Sequence, residues 1–358
     1  MRRLPSIAAG IVVLILTAYP IFTTVATRAG AASPDPAQEA GPGPMQPPGA
    51  PPPPPPSQQP LNPQNLPEAA QPLQVRTAIV NVFVTVRDHH HQILTGLNKS
   101  DFKVFEDGVE QKVAYFNKEM DLPLTLAILM DTSGSMGRNL LAEQDAASRF
   151  VHDVIHPRDE ALVMSFDLDV NLLADFTEDP NVLEDAIRRT RINAAGPVIT
   201  AGTVPQNGPM GTDLYDAIYL ACNSELASQS GRKGLIVLTD AEDNGSKESM
   251  DDAIAAAQKA DAVIHFILVI DPMATTGVGP GVAHEMAEQT GGRVIRAHNA
   301  ETLDNAFDAI AQELRSQYVL GYYPTNTRRD GTYRKIKVEV DVPGARVLAR
   351  KGYYAPYH

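Results

Sequence analysis

The chain has 358 residues and a formal net charge of −13 at pH 7, which leaves room for two domains and a tail. The acidic balance argues against nucleic acid as a partner, because phosphate binding requires a basic surface. The single cysteine, Cys222, cannot form an internal disulfide. It falls in a helical pattern, where we expect a small buried apolar residue.

The N-terminal segment, residues 1–32, begins with a pair of arginines and continues with an apolar run from Ile7 to about Ala26. Such a segment predicts export. Two forms remain open: a signal peptide cleaved near residues 29–31, or a retained anchor, since the run is just long enough to span a bilayer. We expect a periplasmic, cell-envelope or secreted protein, with membrane contact only through this segment if it is uncleaved.

Residues 33–74 are rich in Pro, Gln, Ala and Gly, and Pro51–Pro56 is unbroken. A segment of this composition cannot bury a core and favours an extended, polyproline-like linker. At about 3.1 Å per residue it would reach on the order of 100 Å. A stalk and a generic disordered linker both fit this pattern.

Two short regions with a period of two flank the middle of the chain. Residues 75–120 predict strands, including Phe102–Glu106 and a returning strand Gln111–Phe116 after a tight turn at Asp107-Gly108. Residues 316–358 return to strands, the last of them expected at Arg346–Tyr353. Each set is too small to be stable alone. We therefore expect one composite antiparallel β-sandwich built from both ends of the chain.

Residues 121–315 alternate apolar strands with helical patterns. This predicts an α/β domain with a doubly wound, mostly parallel sheet, inserted between the two parts of the sandwich. We expect strands at 124–130, 161–166, 171–175, 234–239, 263–270 and 293–296, and helices near 139–155, 181–191, 213–228, 248–260, 281–290 and 301–315. Ligands of such sheets bind beyond the carboxyl ends of the strands.

Oxygen-bearing side chains occur at three of these junctions. The first strand runs directly into Asp131-Thr-Ser-Gly-Ser135, the segment 211–213 opens a helical pattern, and another apolar strand ends in a carboxylate at position 240. Three loops that bring oxygens to one point predict a hard-cation site, with Mg²⁺ as the first choice and Mn²⁺ or Ca²⁺ as alternatives. The candidate metal ligands are Asp131, Ser133, Ser135, Thr212 and Asp240.

The three motifs, Asp131-Thr-Ser-Gly-Ser135, Gly211-Thr212 and Val237-Leu-Thr-Asp240, resemble the metal-ion-dependent adhesion site of von Willebrand factor A (VWA) domains. The likeness covers roughly residues 124–315. Flanking motifs such as Arg350-Lys-Gly-Tyr-Tyr354 resemble exported bacterial proteins called VWFA-related.

The resemblance implies that the hydroxyls of Ser133, Ser135 and Thr212 bind the cation directly and that Asp131 and Asp240 act largely through water. Neutral hydroxyls leave most of the metal's charge uncompensated, and Mg²⁺ requires six near-octahedral oxygens. A partner protein that offers an Asp or Glu carboxylate would then complete the shell. The expected function is Mg²⁺-dependent protein binding in adhesion or scaffolding, without catalysis.

Other functions remain open at this stage. One is a metal-dependent hydrolase, or a flavodoxin-like enzyme in which residues 132–135 cradle the phosphate of a bound cofactor. That interpretation gives Thr212 and Asp240 no common role. The sequence has neither a G-x-S-x-G elbow around Ser135 nor a phosphate-binding G-x-x-x-x-G-K-[ST] loop. A purely structural module with an empty metal site is a further alternative.

Several other polar residues have simpler explanations. Asp167 and Asp169 follow a strand and would fit a second cation site, but a solvated turn explains them better. Glu242 and Asp243 are expected to be loop acids. The triplet His89–His91 suggests a transition metal, yet it occupies a predicted turn.

The long Gly/Pro-rich segment 192–210 directly precedes Thr212. It would either shape the partner surface or be a tolerated insertion. Thr212 itself would fit a helix cap as well as a ligand. We expect Ser133 and Thr212 to lie in exposed loops.

Overall fold

The computed structural model describes residues 79–118, 123–192, 211–269 and 279–357. The expected export segment 1–32, the linker 33–74 and positions 193–210 of the Gly/Pro-rich segment lie outside these residues and stay predictions. Among the described residues, no helix combines the length and the apolar character needed to cross a membrane.

Within the described residues the chain forms 14 strands and six α-helices. The strands are β1 (Val80–Arg87), β2 (Phe102–Glu106), β3 (Val109–Gln111), β4 (Val113–Asn117), β5 (Leu124–Asp131), β6 (Glu160–Phe166), β7 (Val170–Thr177), β8 (Arg232–Thr239), β9 (Ala262–Val269), β10 (Val294–Ala297), β11 (Tyr318–Tyr322), β12 (Tyr333–Val340), β13 (Arg346–Leu348) and β14 (Gly352–Tyr354). The helices are α1 (Leu140–Val154), α2 (Pro180–Arg189), α3 (Leu214–Leu220), α4 (Met250–Lys259), α5 (Gly279–Thr290) and α6 (Ala300–Arg315).

A six-stranded sheet forms the centre of the α/β part, in the order β10-β9-β8-β5-β6-β7. All neighbouring strands are parallel except β6 and β7, which are antiparallel. Every residue of β5 and of β9 is buried. Strands buried on both faces are typical of parallel sheets covered by helices, which explains their largely apolar sequences.

Three helices cover each face of this sheet. Helices α1, α2 and α6 pack over one apolar cluster, and α3, α4 and α5 pack over the other. The doubly wound, mostly parallel architecture expected from the sequence is therefore confirmed. It places the carboxyl ends of β5 and β8 side by side, because these two strands are parallel neighbours.

The flanking strands form two antiparallel sheets, in the orders β13-β1-β11-β4 and β14-β12-β2-β3. Each sheet mixes strands from both flanks: β1 pairs with β11, and β2 pairs with β12. The two inner faces share one apolar cluster that includes Val82, Val104, Leu320 and Ile336. The composite β-sandwich is thus confirmed.

Two predicted strands prove to be interrupted. The expected strand Gln111–Phe116 is divided between β3 and β4, which belong to different sheets, so the chain crosses the sandwich at Lys112. The last strand region divides in the same way into β13 and β14. The expected helix 213–228 is α-helical only to Leu220 and continues as a π-helical turn, Ala221–Glu225. That turn buries Cys222, as expected.

Candidate metal site

The site begins at Asp131, the last residue of the central strand β5, whose side chain is 0% exposed. Its Oδ1 accepts the backbone N–H of Ser133 at 2.9 Å, and its Oδ2 accepts the hydroxyl of Thr239 at 2.6 Å. The first bond closes a local turn that starts the loop. The second joins the end of β5 to the end of β8.

The two motif serines lie together immediately after this turn. Their Oγ atoms are 3.0 Å apart, so Ser133 and Ser135 present their hydroxyls to the same point. Ser135 belongs to a short 3₁₀ segment, Gly134–Arg138, which the buried side chain of Met136 holds against the core. Ser133 is only 7% exposed, so the expectation that it lies in an exposed loop is wrong.

Thr212 occupies the second loop, just before α3, and is 5% exposed. The expectation of an exposed loop is therefore wrong here too. Helix α3 begins at Leu214 with Asp213 at the cap position, so Thr212 is not the helix cap. Thr212 is therefore buried without a capping role.

Asp167 connects the first and second loops. Its Oδ2 accepts the Thr132 hydroxyl at 2.8 Å, and its backbone carbonyl accepts the N–H of Asp213 at 2.7 Å. With 8% exposure Asp167 is buried, so the expected solvated turn is wrong for this residue, whereas Asp169 is exposed as expected. This carboxylate holds loops together, a role that a strand-end Asp does not reveal in sequence.

The third loop carries Asp240, which directly follows β8. Its Oδ1 accepts the N–H of Glu242 at 3.1 Å, and the N–H of Asn244 donates to the carbonyl of Thr212 at 3.1 Å. The second and third loops are therefore bonded to each other. Within the third loop, Ala241, between Asp240 and Glu242, has a φ of 61°, in the left-handed region that non-glycine residues rarely adopt.

Of the two neighbouring acids, Asp243 has a clear structural task. Its Oδ1 accepts the Ser246 hydroxyl at 2.6 Å and the N–H of Tyr215 at 3.2 Å, which ties the third loop to α3. Together with the bonds of Asp167 and Thr239, these contacts bring all three candidate loops to one edge of the sheet.

The site is electrostatically unusual because carboxylates accumulate in its interior. Burial raises the pKa of Asp131 to about 7, and the negative charge of Asp240 also raises it. Hydrogen bonds from Ser133 and Thr239 act in the opposite direction and lower this pKa. Burial also raises the pKa of Glu143 to about 8, and the charges of Asp131 and Asp240 add to this effect. Glu143, which lies in the first turn of α1, was not among the candidate residues predicted from the sequence.

A divalent cation fits this donor set. Hydroxyl and carboxylate oxygens are the ligands that Mg²⁺ prefers, and both Glu143 oxygens are buried without a hydrogen-bond partner. Among the residues that the structure describes, no three His, Cys, Asp or Glu side chains are placed to hold a metal ion together. A cation bound at this edge would therefore need further oxygens besides carboxylates, and the loops present the hydroxyls of Ser133 and Ser135 there.

The histidine triplet forms a surface turn. Asp88 accepts the backbone N–H groups of His90 and Gln92 at 2.8 and 2.9 Å, and the three histidines are exposed. This agrees with the turn predicted there. In the described part of the chain, no three His, Cys, Asp or Glu side chains, these histidines included, are placed to hold a metal ion together.

Comparison with known proteins identifies the central part of the chain. Residues 126–242 match the family model of the von Willebrand factor type A domain. This stretch runs from β5 to the loop that follows β8, so it contains all three candidate loops. A search of curated proteins gave no match.

Solved structures with a similar fold include BatB from Bacteroides thetaiotaomicron, with 19% identity, a TM-score of 0.42, and coverage of 53% of this chain and 97% of BatB. The VWF domain of the pilus tip protein Mfa5 from Porphyromonas gingivalis has 15% identity and a TM-score of 0.41, covering 53% and 94%. Proximal thread matrix protein 1 of the mussel byssus, in a structure with a zinc-occupied MIDAS motif, has 15% identity and a TM-score of 0.44. That likeness covers 57% of this chain and about half, 48%, of the mussel protein.

From the family match and the doubly wound sheet, we conclude that the chain contains a von Willebrand factor type A domain.

Proposed function

We propose that this chain binds a protein partner through a divalent cation held by Asp131, Ser133, Ser135, Thr212 and Asp240. The observation that supports this most strongly is the joining of three oxygen-bearing loops at one sheet edge by the bonds of Asp167, Thr239 and Asn244. Those bonds orient hydroxyls and carboxylates that the fold does not otherwise need there. Mg²⁺ is the proposed cation, with Mn²⁺ or Ca²⁺ as possible replacements.

The proposed division of roles follows the chemistry of the ligands. The hydroxyls of Ser133, Ser135 and Thr212 bind the cation directly, while the two aspartates accept hydrogen bonds from water bound to it. The partner supplies an Asp or Glu carboxylate to the remaining position. No catalytic residue is part of this proposal, since binding of the cation and the partner gives every oxygen-bearing side chain of the candidate site a role.

The proposal extends to the parts of the chain outside the described residues. Segment 1–32 exports the protein and is either removed or kept as an anchor, and residues 33–74 hold the VWA domain (121–315) and its sandwich (75–120 and 316–358) away from the envelope surface. N-terminal sequencing of the protein recovered from the envelope tests this part. A start near residue 32 means cleavage, and a start at Met1 means a retained anchor.

Metal-dependent capture tests the main proposal. The immobilised chain should retain a partner from an envelope extract in Mg²⁺ and release it in chelator. Ser133→Ala and Thr212→Ala should both abolish retention, whereas Ser249→Ala should keep it, because Ser249 only caps α4. Amidation of carboxyl groups in the extract should also abolish capture. Retention that survives chelator and both site variants would refute the proposal.

A further inference from the structure

Glu143 is a buried acid without a structural partner. It lies in the first turn of α1, its side chain is 0% exposed, and neither carboxylate oxygen has a hydrogen-bond partner. The residues three and four positions further along the helix, Ala146 and Ala147, are buried apolar residues of the core. An uncompensated carboxyl group in such a place is costly to folding, so its presence calls for a reason.

The next residue on this helix, Gln144, is a buried polar side chain with a structural role. Gln144 is also buried, but its Nε2 donates to the carbonyls of Ile187 and Thr190 at 3.1 and 3.0 Å and to the Thr190 hydroxyl at 2.8 Å. Gln144 therefore links α1 to α2. Glu143 makes no comparable link, so cross-linking of helices does not explain it.

The charges that act on Glu143 come from the candidate metal site. Glu143 lies in the first turn of α1, which follows the 3₁₀ segment that carries Ser135. The charges of Asp131 and Asp240 add to the burial that raises the pKa of its carboxyl group, although among the described residues no three His, Cys, Asp or Glu side chains are placed to hold a metal together. Glu143 therefore lies near enough to the candidate site for the charges of Asp131 and Asp240 to act on it, but it is not one of the direct ligands. Without a cation, the charges of Asp131 and Asp240 repel the Glu143 carboxylate. A divalent cation bound at the hydroxyls would instead attract it.

We propose that Glu143 is a positioning residue of the cation site, whose buried carboxylate provides a counter-charge that retains the metal before a partner arrives. This inference rests on the metal site of the proposed function. Direct ligands that are mainly neutral hydroxyls hold a cation weakly, and charge in a dry interior acts over longer distances than in water. Glu143 therefore raises the affinity for the cation in the partner-free protein.

Calorimetric titration of Mn²⁺ into the full chain tests the role. Glu143→Gln should weaken binding about tenfold or more, the usual effect of removing a group that supports metal ligands. In chelator the same variant should melt at the wild-type temperature or above it, because a repulsive buried acid has been removed. Glu143→Met, which has no polar group to satisfy, should behave alike in both measurements.

Gln144→Ala is the matched control on the same helix. It should lower the melting temperature and leave Mn²⁺ affinity unchanged, since its bonds are to α2 and the loop after it. Wild-type affinity in Glu143→Gln, or a loss of stability without a loss of affinity, would overturn the role of Glu143 alone. Absence of Mn²⁺ binding in the wild type would instead overturn the metal site and, with it, this inference.

Discussion

The Thr239 hydroxyl donates a 2.6 Å hydrogen bond to Oδ2 of Asp131, which joins the ends of β8 and β5. The hydroxyl oxygen of Thr239 also accepts the backbone N–H of Ala241 at 2.9 Å. Thr239 therefore holds the carboxylate of the first loop and the start of the turn that follows Asp240. One side chain outside the candidate ligand set connects two of the three loops.

Thr239→Val keeps the shape of the side chain and removes both hydrogen bonds. A hydrogen bond to a charged group contributes about 1.5–3 kcal/mol, so we expect the free energy of unfolding to fall by about 2 kcal/mol. Mn²⁺ affinity should fall about tenfold as Asp131 loses its support. Denaturant unfolding and calorimetry measure the two effects.

Thr125→Val is the control for this substitution. Thr125 is buried in β5, the strand that ends at Asp131, but its hydroxyl has only long contacts of 3.4 and 3.5 Å. It should bind Mn²⁺ like the wild type. Unchanged affinity in Thr239→Val would show that the link between the two loops is not needed for the site.

The first residue of α5 limits the space around Asp240. A Cβ atom at Gly279 would lie 2.3 Å from the carbonyl oxygen of Asp240, far inside contact distance. Gly279→Ala should therefore displace the Asp240 turn and weaken Mn²⁺ binding by about tenfold or more. Gly281→Ala, in the same helix, meets no atom within 4 Å and should leave binding unchanged. Equal affinity in both variants would contradict this account.

The apolar strands and helices were predictable because their patterns match their burial. Every residue of β5 and β9 is buried, and both sequences are largely apolar, so they are readily recognised as buried strands. The break at Lys112 was not predictable, because both β3 and β4 have strand-like residues and only the need to cover two sheets separates them. Strand propensity does not indicate which sheet a strand joins.

Around the site, the strand ends were predictable from the sequence, but the residues that support them were not. Thr132, Asp167 and Thr239 act through contacts between loops far apart in the chain, which no local pattern reveals. Glu143 did leave a signal. An acid in the first turn of a helix is ordinary, but this one shares its helix face with Ala146, Ala147 and other buried residues.

A buried ionic network in the sandwich gives an independent test of its composite core. Glu106 Oε2 accepts the hydroxyls of Tyr322 and Tyr353 at 2.8 and 3.0 Å, and Arg334 Nη1 lies 3.5 Å from Oε1. Glu106→Gln leaves the arginine without its counter-charge, so unfolding free energy should fall by about 3 kcal/mol. Mn²⁺ affinity should not change, since Glu106 lies outside the VWA sheet.

The exposed Glu110, on the same hairpin, provides the matched control. Glu110→Gln should unfold at the wild-type denaturant concentration. If Glu106→Gln were equally stable, the two flanks of the chain would not depend on this network for their association.

His265 makes the protein sensitive to acid. Burial in β9 lowers its pKa to about 3, and the charges of Arg293 and Arg87 add to this effect, outweighing Glu313 at 3.7 Å. Neutral His265 therefore contributes stability that is complete above the ordinary histidine pKa of about 6.5 and is lost as the pH falls toward 3. Between pH 7 and pH 5 the loss is on the order of 2 kcal/mol.

His265→Leu should remove this part of the pH dependence, because leucine does not titrate. The substitution breaks no hydrogen bond, since neither ring nitrogen has a partner. The measurement is denaturant unfolding of both proteins at pH 7 and pH 5. The difference between them isolates His265 from acids such as Glu143, whose raised pKa acts in the opposite direction. The exposed His152, changed to Leu, is the control. An identical pH dependence in wild type and His265→Leu would contradict the expectation.

The central claim is that the three loops form one cation site, and calorimetric titration of Mg²⁺ into the full chain tests it most directly. Wild type should show saturable binding to a single site. Asp240→Ala should lose that binding while melting cooperatively, and Asp308→Ala, an exposed acid on α6, should retain it. No binding by the wild type, or undiminished binding by Asp240→Ala, would contradict the claim.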